Sequence, residues 1–183
     1  MNFKLIETDR LLLKGLSTED MTAIFERNLK PKIKILLGHR SDEDYEKEYH
    51  KYKNGYASYN RSFMLFLLVD KASDKIIGRC GLHNWNVDHR RAEIGYGMED
   101  ETYKKQGLMS EAVEAIIAYG FEQMNLNRIE ALVAPQNAAS LKLLEKNNFV
   151  WEGVLRNHYY ISGTFEDSVM FSKLQEEYLK EKK

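Results

Sequence analysis

Apolar positions along the chain recur with two different spacings, and the change between them marks the elements. Arg10-Leu-Leu-Leu-Lys14 reads as a first strand. Ser17-Thr-Glu-Asp20 sets a hydroxyl three residues ahead of a carboxylate, the pattern of a capping box that satisfies orphan amides at a helix start. A helix is therefore predicted from near Thr18, with Met21, Ile24, Phe25 and Leu29 on one face and its end before Pro31. Residues 42–58 are charged and carry Tyr45, Tyr49 and Tyr52 at helical spacing, which predicts a second, more exposed helix. Ile35 to Leu37, between the two, show no clear pattern.

Phe63 to Val69 reads as a strand, Lys71 to Asp74 as a turn, Lys75 to Leu82 as the hairpin partner, and Arg91 to Met98 as a further strand. Connections this short join antiparallel neighbours. The period then changes. Met109, Ala112, Val113, Ile116, Ile117, Gly120, Phe121 and Met124 follow helical intervals and predict a helix lying on a sheet by a broad apolar stripe. Arg128 to Val133 reads as a buried strand, Ala138 to Asn147 as a helix, and Phe149 to Tyr160 with Thr164 to Lys173 as a closing pair. Asn148 is expected to take the left-handed turn at that helix end. The expected class is α/β: a mixed, mostly antiparallel central sheet of about seven strands flanked by helices, with residues 1–183 forming one domain.

Composition narrows the function classes. A formal net charge of −1 lacks the basic excess that a general grip on nucleic-acid phosphates needs, so an anionic ligand has to be bound locally. The one cysteine, Cys80, admits no intramolecular disulfide and reads as a small buried hydrophobe. His39, His50, His83, His89 and His158 are scattered without the spacing of zinc ligands, so no metal is expected. There is no charged-then-apolar leader and no run of about 18 apolar residues. The expectation is a cytoplasmic protein without membrane or direct nucleic-acid contact.

Between the strand ending near Met98 and the long helix lies Glu99-Asp-Glu-Thr-Tyr-Lys-Lys-Gln-Gly-Leu-Met-Ser-Glu111. A loop entering a helix amino terminus exposes unpaired N–H groups and the positive end of the helix dipole, and can hold a pyrophosphate with little help from side chains. Gly107 permits close backbone approach, and Lys104 and Lys105 add charge. One glycine between a strand and a helix is, by itself, most often a turn. Its surroundings alter that reading: Lys104-Lys-Gln-Gly-Leu-Met-Ser-Glu-Ala112 resembles the pyrophosphate loop of GCN5-related N-acetyltransferases, the GNAT family, which runs Gln or Arg, two residues, Gly, one residue, Gly or Ala. Asn137-Ala-Ala-Ser140 ahead of Leu143-Leu-Glu-Lys-Asn-Asn-Phe149 resembles that family's second cofactor segment. Thr8-Asp-Arg-Leu-Leu-Leu13, Glu93-Ile-Gly-Tyr96 and Leu126-Asn-Arg-Ile129 extend the resemblance over nearly the whole chain, and it is nearest the branch of ribosomal-protein N-terminal acetyltransferases. Three positions depart from the pattern: Lys104 stands for Gln or Arg, Met109 for a small residue, and the stretch from Tyr96 to Gly107 is one residue longer, expected as a bulge at Glu99 or Asp100.

The resemblance implies acetyl-coenzyme A as co-substrate, held in a V where a bulge splays strand 93–98 from strand 128–133. Gly97 and Met98 would contact the pantetheine arm by their backbones, Lys104, Lys105, Gln106, Gly107, Leu108, Met109 and Ser110 would surround the pyrophosphate, and the Asn137 side chain would touch the arm. Amine acetylation needs a neutral nucleophile, hence a proton acceptor. Strand alternation puts Glu93 on a face with Gly95 and Gly97, making it the candidate base; the alternative is a surface carboxylate paired with Arg90 or Arg91. The family's thiolate-protonating tyrosine would fall seven residues after Asn137, at Leu144, so Ser140 is the substitute acid or, alternatively, an ordinary capping residue. Trp85 and Tyr159 are expected at the acceptor entrance. The expected acceptor is a protein or peptide N-terminal amine. A polyamine or aminoglycoside acetyltransferase and a non-catalytic coenzyme A-binding module are the alternatives, on a monomer or homodimer.

Overall fold

The computed structural model describes residues 3–56 and 62–182. One eight-stranded sheet carries the fold, in the order β1-β2-β3-β4-β5-β6-β8-β7. Its strands are β1 (Lys4–Glu7), β2 (Leu11–Ser17), β3 (Ser62–Asp70), β4 (Lys75–Asn86), β5 (Arg91–Met98), β6 (Arg128–Val133), β7 (Val150–Ile161) and β8 (Thr164–Leu174). Helices α1 (Thr18–Arg27), α2 (Lys30–Leu37) and α3 (Asp42–Asn54) precede β3, α4 (Leu108–Glu122) and α5 (Ala138–Lys146) flank β6, and α6 (Gln175–Glu181) ends the chain.

Alternation along β3 separates two cores. Phe66 and Leu68 point to the α4 face and pack with Ala112, Val113, Ile116 and Ile117. Leu67 points the other way and joins Met21, Ile24, Ile33 and Leu37 of α1 and α2. The α3 tyrosines complete that second layer: Tyr52 stacks on Phe25 at 4.9 Å between ring centroids, and Tyr45 on Tyr49 at 5.7 Å. Ser17 and Ser41 both close capping boxes, with Asp20 and Asp44, so α1 starts where the sequence pattern puts it.

Three elements differ from expectation. Pro31 does not merely bar α1: it occupies the first turn of α2, where its missing N–H has no intrahelical partner to lose. Leu29, expected on the buried face of α1, is 82% exposed in the connection. Short β1 pairs with β2 at the sheet edge, and α6 follows β8 directly. The predicted 42–58 helix ends at Asn54, and residues 57–58 lie outside the described residues.

Every neighbouring pair is antiparallel except β5 and β6. Their parallel ladder holds only from Arg91↔Arg128 to Glu93↔Glu130. Beyond it β5 stays with β4 as far as Met98 and β6 stays with β8 as far as Val133, so the two strands part. The irregularity next to this split lies in β4, not in β5 as expected: Asn84 and Trp85 oppose a single residue of β5, with Asn84 at φ 50°. At the closed end, Arg91 bonds Glu130 (3.0 Å), and Arg128 bonds Glu130 (2.8 Å) and both oxygens of Glu152 on β7 (2.7 and 2.5 Å). Among the described residues no helix is long and apolar enough to cross a membrane, and no group of three or more His, Cys, Asp or Glu is placed to hold a metal.

Candidate active site

The parted strands leave a cleft of about 190 Å³ lined by Glu93 to Tyr96, Ala131 to Ala134, Asn137 and Ser140. The open flank of β5 has free main-chain polar groups there, and a Cβ added at Gly97 would meet nothing within 4 Å. Asn137 caps α5 by accepting from the Ser140 amide at 3.1 Å, which brings Ser140 to the cleft and leaves the Asn137 NH₂ for other partners.

At the mouth of the V, the long loop from β5 is folded rather than bulged. Glu99 N–H still bonds Ile77 O at 2.9 Å, so the ladder continues past Met98 and the expected bulge at Glu99 or Asp100 is absent. The extra length is taken up by a 3-10 turn, Glu101–Tyr103, capped by the Asp100 carboxylate accepting from Thr102 N and Oγ1. Lys105 and Gly107 both take positive φ, 60° and 78°. Gly107 is the N-cap of α4 and offers no side-chain bond, so first-turn amides from Leu108 to Ser110 lack intrahelical partners. Met109, which could have crowded the turn, packs partly buried against the main core.

A clamp from the other end of the chain holds this turn. Glu111 accepts from Thr8 Oγ1 (2.5 Å), Arg10 N (2.7 Å) and Arg10 Nε (2.7 Å), while Arg10 Nη1 donates to Gln106 O at 2.8 Å. Burial alone would raise the Glu111 carboxyl, but these donors outweigh it and hold it below its ordinary value. Lys146 at the end of α5 donates to Ser110 Oγ at 2.7 Å, and Lys104 is paired with Glu101. Uncapped amides, two positive-φ residues and the Lys146 ammonium at Ser110 fit a diphosphate. The sequence had assigned 104–110 to this turn. It missed Arg10, Glu111 and Lys146, though Arg10 sits in the Thr8-to-Leu13 pattern it had noted.

On the opposite side of β5 lies a second cavity, about 320 Å³, bounded by Tyr56, Phe63, Met64, His83, Gly95 and Gly97 among others. Glu93 lines the cleft, and its partner His83 lines this second cavity. The partners of Glu93 are Asn84 Nδ2 at 3.0 Å and His83 Nε2 at 3.2 Å. Arg90 and Arg91 are engaged elsewhere, with Asn125 and Glu130, so the surface-pair alternative for Glu93 is not what the structure shows. Burial pushes the Glu93 carboxyl up, but the His83 and Asn84 contacts prevail and the net direction is down, so it is ionised at neutral pH. Tyr159 on β7 lies close enough to Glu93 for that charge, after burial, to help raise its phenol. Trp85 is half-buried against the main core and lines neither cavity. Cys80 is fully buried, which raises its thiol and suits a packing role.

Comparison with known proteins agrees with this geometry. The uncharacterized N-acetyltransferase p20 of Bacillus licheniformis is 44% identical over 113 residues, 62% of this chain and 63% of its own length. The uncharacterized N-acetyltransferase YoaA of Bacillus subtilis is 34% identical over 171 residues, 93% of this chain and 96% of its own. Two Escherichia coli proteins match over shorter spans: ribosomal-protein-serine acetyltransferase at 26% (67% of this chain, 64% of its own) and spermidine N(1)-acetyltransferase at 31% (54% and 52%). Among solved structures, a spermidine N-acetyltransferase from Vibrio cholerae superposes with a TM-score of 0.69 over 96% of this chain and 100% of its own at 24% identity, a likeness of fold. Residues 10–150 match the acetyltransferase (GNAT) domain model, and the chain belongs to the GNAT family of acetyltransferases.

Proposed function

We propose that this protein transfers the acetyl group of acetyl-coenzyme A to a primary amine by direct attack in a ternary complex, in the cytoplasm. The observation that carries the reading is the parting of β5 and β6 after Glu93↔Glu130, with the uncapped start of α4 at its mouth and Ser140 inside it. When bound, the co-substrate supplies an acyl carbon activated as a thioester. Amides of residues 107–110 bind its diphosphate, helped by Lys146 and Lys105, and the open flank of β5 at Gly97 and Met98 orients the arm. Glu93, ionised and held by Asn84 and His83, accepts the proton of the amine directly or through one water. Ser140 faces the departing sulfur.

The acceptor proposed is the N-terminal amine of a protein or peptide. Support comes from the sequence resemblance to the ribosomal-protein branch and from the relative named for a ribosomal-protein serine. A small polyamine is the second reading, favoured by the relative named for spermidine. Thiol release from acetyl-coenzyme A decides between them, with peptides beginning in Ala, Ser or Met set beside spermidine and an aminoglycoside. The expected result is turnover on a peptide. Turnover on the small amines alone overturns the acceptor assignment, and failure of calorimetry to detect coenzyme A overturns the activity.

A further inference from the structure

Tyr96 shares the face of Ala92 and Ile94, and its ring packs against the main core. Its hydroxyl is buried, yet it has no hydrogen-bond partner. Such orphans are rare in folded proteins, because a buried donor that gives up water regains nothing without a partner. Tyr96 lines the cleft together with Asn137 and Ser140. Its cross-strand neighbour Cys80 offers only a weakly accepting sulfur. The Ser140 amide is fixed by Asn137, while the serine hydroxyl makes no bond of its own among the described residues and shares the cleft lining with Tyr96.

We infer that Tyr96 is the positioning residue of Ser140: its phenol donates to Ser140 Oγ and thereby directs the serine's own O–H into the cleft, toward the sulfur that leaves the acetyl group. This rests on the reading of Ser140 given above. Burial raises the phenol of Tyr96, so it keeps its proton and serves as a donor. Neither hydroxyl loses its proton in this arrangement. A negative sulfur gains a hydrogen bond that is already oriented before the C–S bond breaks, so little reorganisation is left for the reaction itself.

Calorimetry with coenzyme A and with desulfo-coenzyme A, which lacks the sulfur, reads the contact without any acceptor amine. At pH 9 the wild type is expected to prefer coenzyme A by about tenfold, the worth of roughly one hydrogen bond to a charged atom. Tyr96→Phe, Ser140→Ala and the double variant are each expected to reduce that preference to the same small residue. Ligand-free Tyr96→Phe should melt no lower than the wild type, and its kcat should fall about fivefold at unchanged KM for acetyl-coenzyme A. Full preference retained by Tyr96→Phe, or losses that multiply in the double variant, would overturn the inference. So would a lowered melting temperature with both ligands weakened equally, the mark of a packing role. Should Ser140→Ala keep the preference, the assignment of Ser140 falls and this inference with it. Should the wild type bind neither ligand, the proposed activity fails first and takes both with it.

Discussion

The two sides of β5 are built by opposite means. Toward α4, the site is a shape of the backbone: positive φ at Lys105 and Gly107, uncapped amides, and a clamp on Glu111 from Thr8 and Arg10, more than a hundred residues away from it in sequence. Toward β3 and β4, it is a set of side chains on one hairpin: Glu93 is held by His83 and Asn84, and the His83 ring, packed over Gly95, lines the cavity on that side. A backbone site tolerates exchange of its own side chains, which is why Lys104 and Met109 can depart from the family pattern, but it is vulnerable to loss of a remote support. A side-chain site has the reverse sensitivity.

The largest expected effect tests the second half of that contrast. Glu93→Gln removes the proton acceptor while keeping its shape, and kcat should fall about 100-fold with acetyl-coenzyme A affinity retained. Undiminished turnover across the pH range would retire Glu93 as base. Next in size, Glu111→Ala strips three donors of their acceptor, and two of these belong to Arg10. A stability loss of about 2 kcal/mol is expected from denaturant unfolding, together with weaker coenzyme A binding although Glu111 itself touches no ligand. Equal coenzyme A affinity in that variant would show that the turn holds its shape unaided. Smaller still is Gly107→Ala. The left-handed backbone costs an alanine about 1–2 kcal/mol, and Arg10 Nη2 at 3.5 Å from the new methyl is an ordinary contact, so strain rather than collision sets the loss. Gly97→Ala is the control: its Cβ enters open space without strain, so stability should hold while the arm's seat narrows and KM for acetyl-coenzyme A rises.

The same division decides what could be read from the chain. The long stripe from Met109 to Phe121 announced α4, the Ser17-to-Asp20 spacing announced α1, and the tyrosines at helical spacing announced α3, because those signals are local. Helix α2 was hidden because Pro31 reads equally as a stop or as a first-turn residue, and β1 because four mostly exposed residues carry no alternation. The turn at 104–110 was legible from its glycine and its neighbours. Its supports were not, since Arg10 with Glu111 and Lys146 with Ser110 meet only after β2, α4 and α5 have packed. Period two put Glu93 on one face with Gly95 and Gly97, but its partners depend on the bulge at Asn84, which no pattern marked, and so Arg90 and Arg91 were the neighbours in view.

The smallest effect concerns the closed end of the V, on which both sides depend. Arg128 donates to both oxygens of Glu152, and Ser172 Oγ adds a third bond at 2.6 Å. Chiefly through the Arg128 bond, the Glu152 carboxyl is held at about 2 against an ordinary 4.5. A depressed carboxyl stabilises the fold fully above its unfolded value and loses that contribution as pH falls from about 4.5 toward 2. Glu152 is 36% exposed, so solvent screening limits the contribution to on the order of 1 kcal/mol. Urea unfolding of the wild type and Glu152→Gln should therefore differ by that amount at pH 7, and most of the gap should close by pH 3, because protonating the wild-type unfolded chain removes what the amide never had. A gap that stays constant down to pH 3 would mean that packing of β7 on β8, rather than the ion pair, holds the two strands where they begin to part.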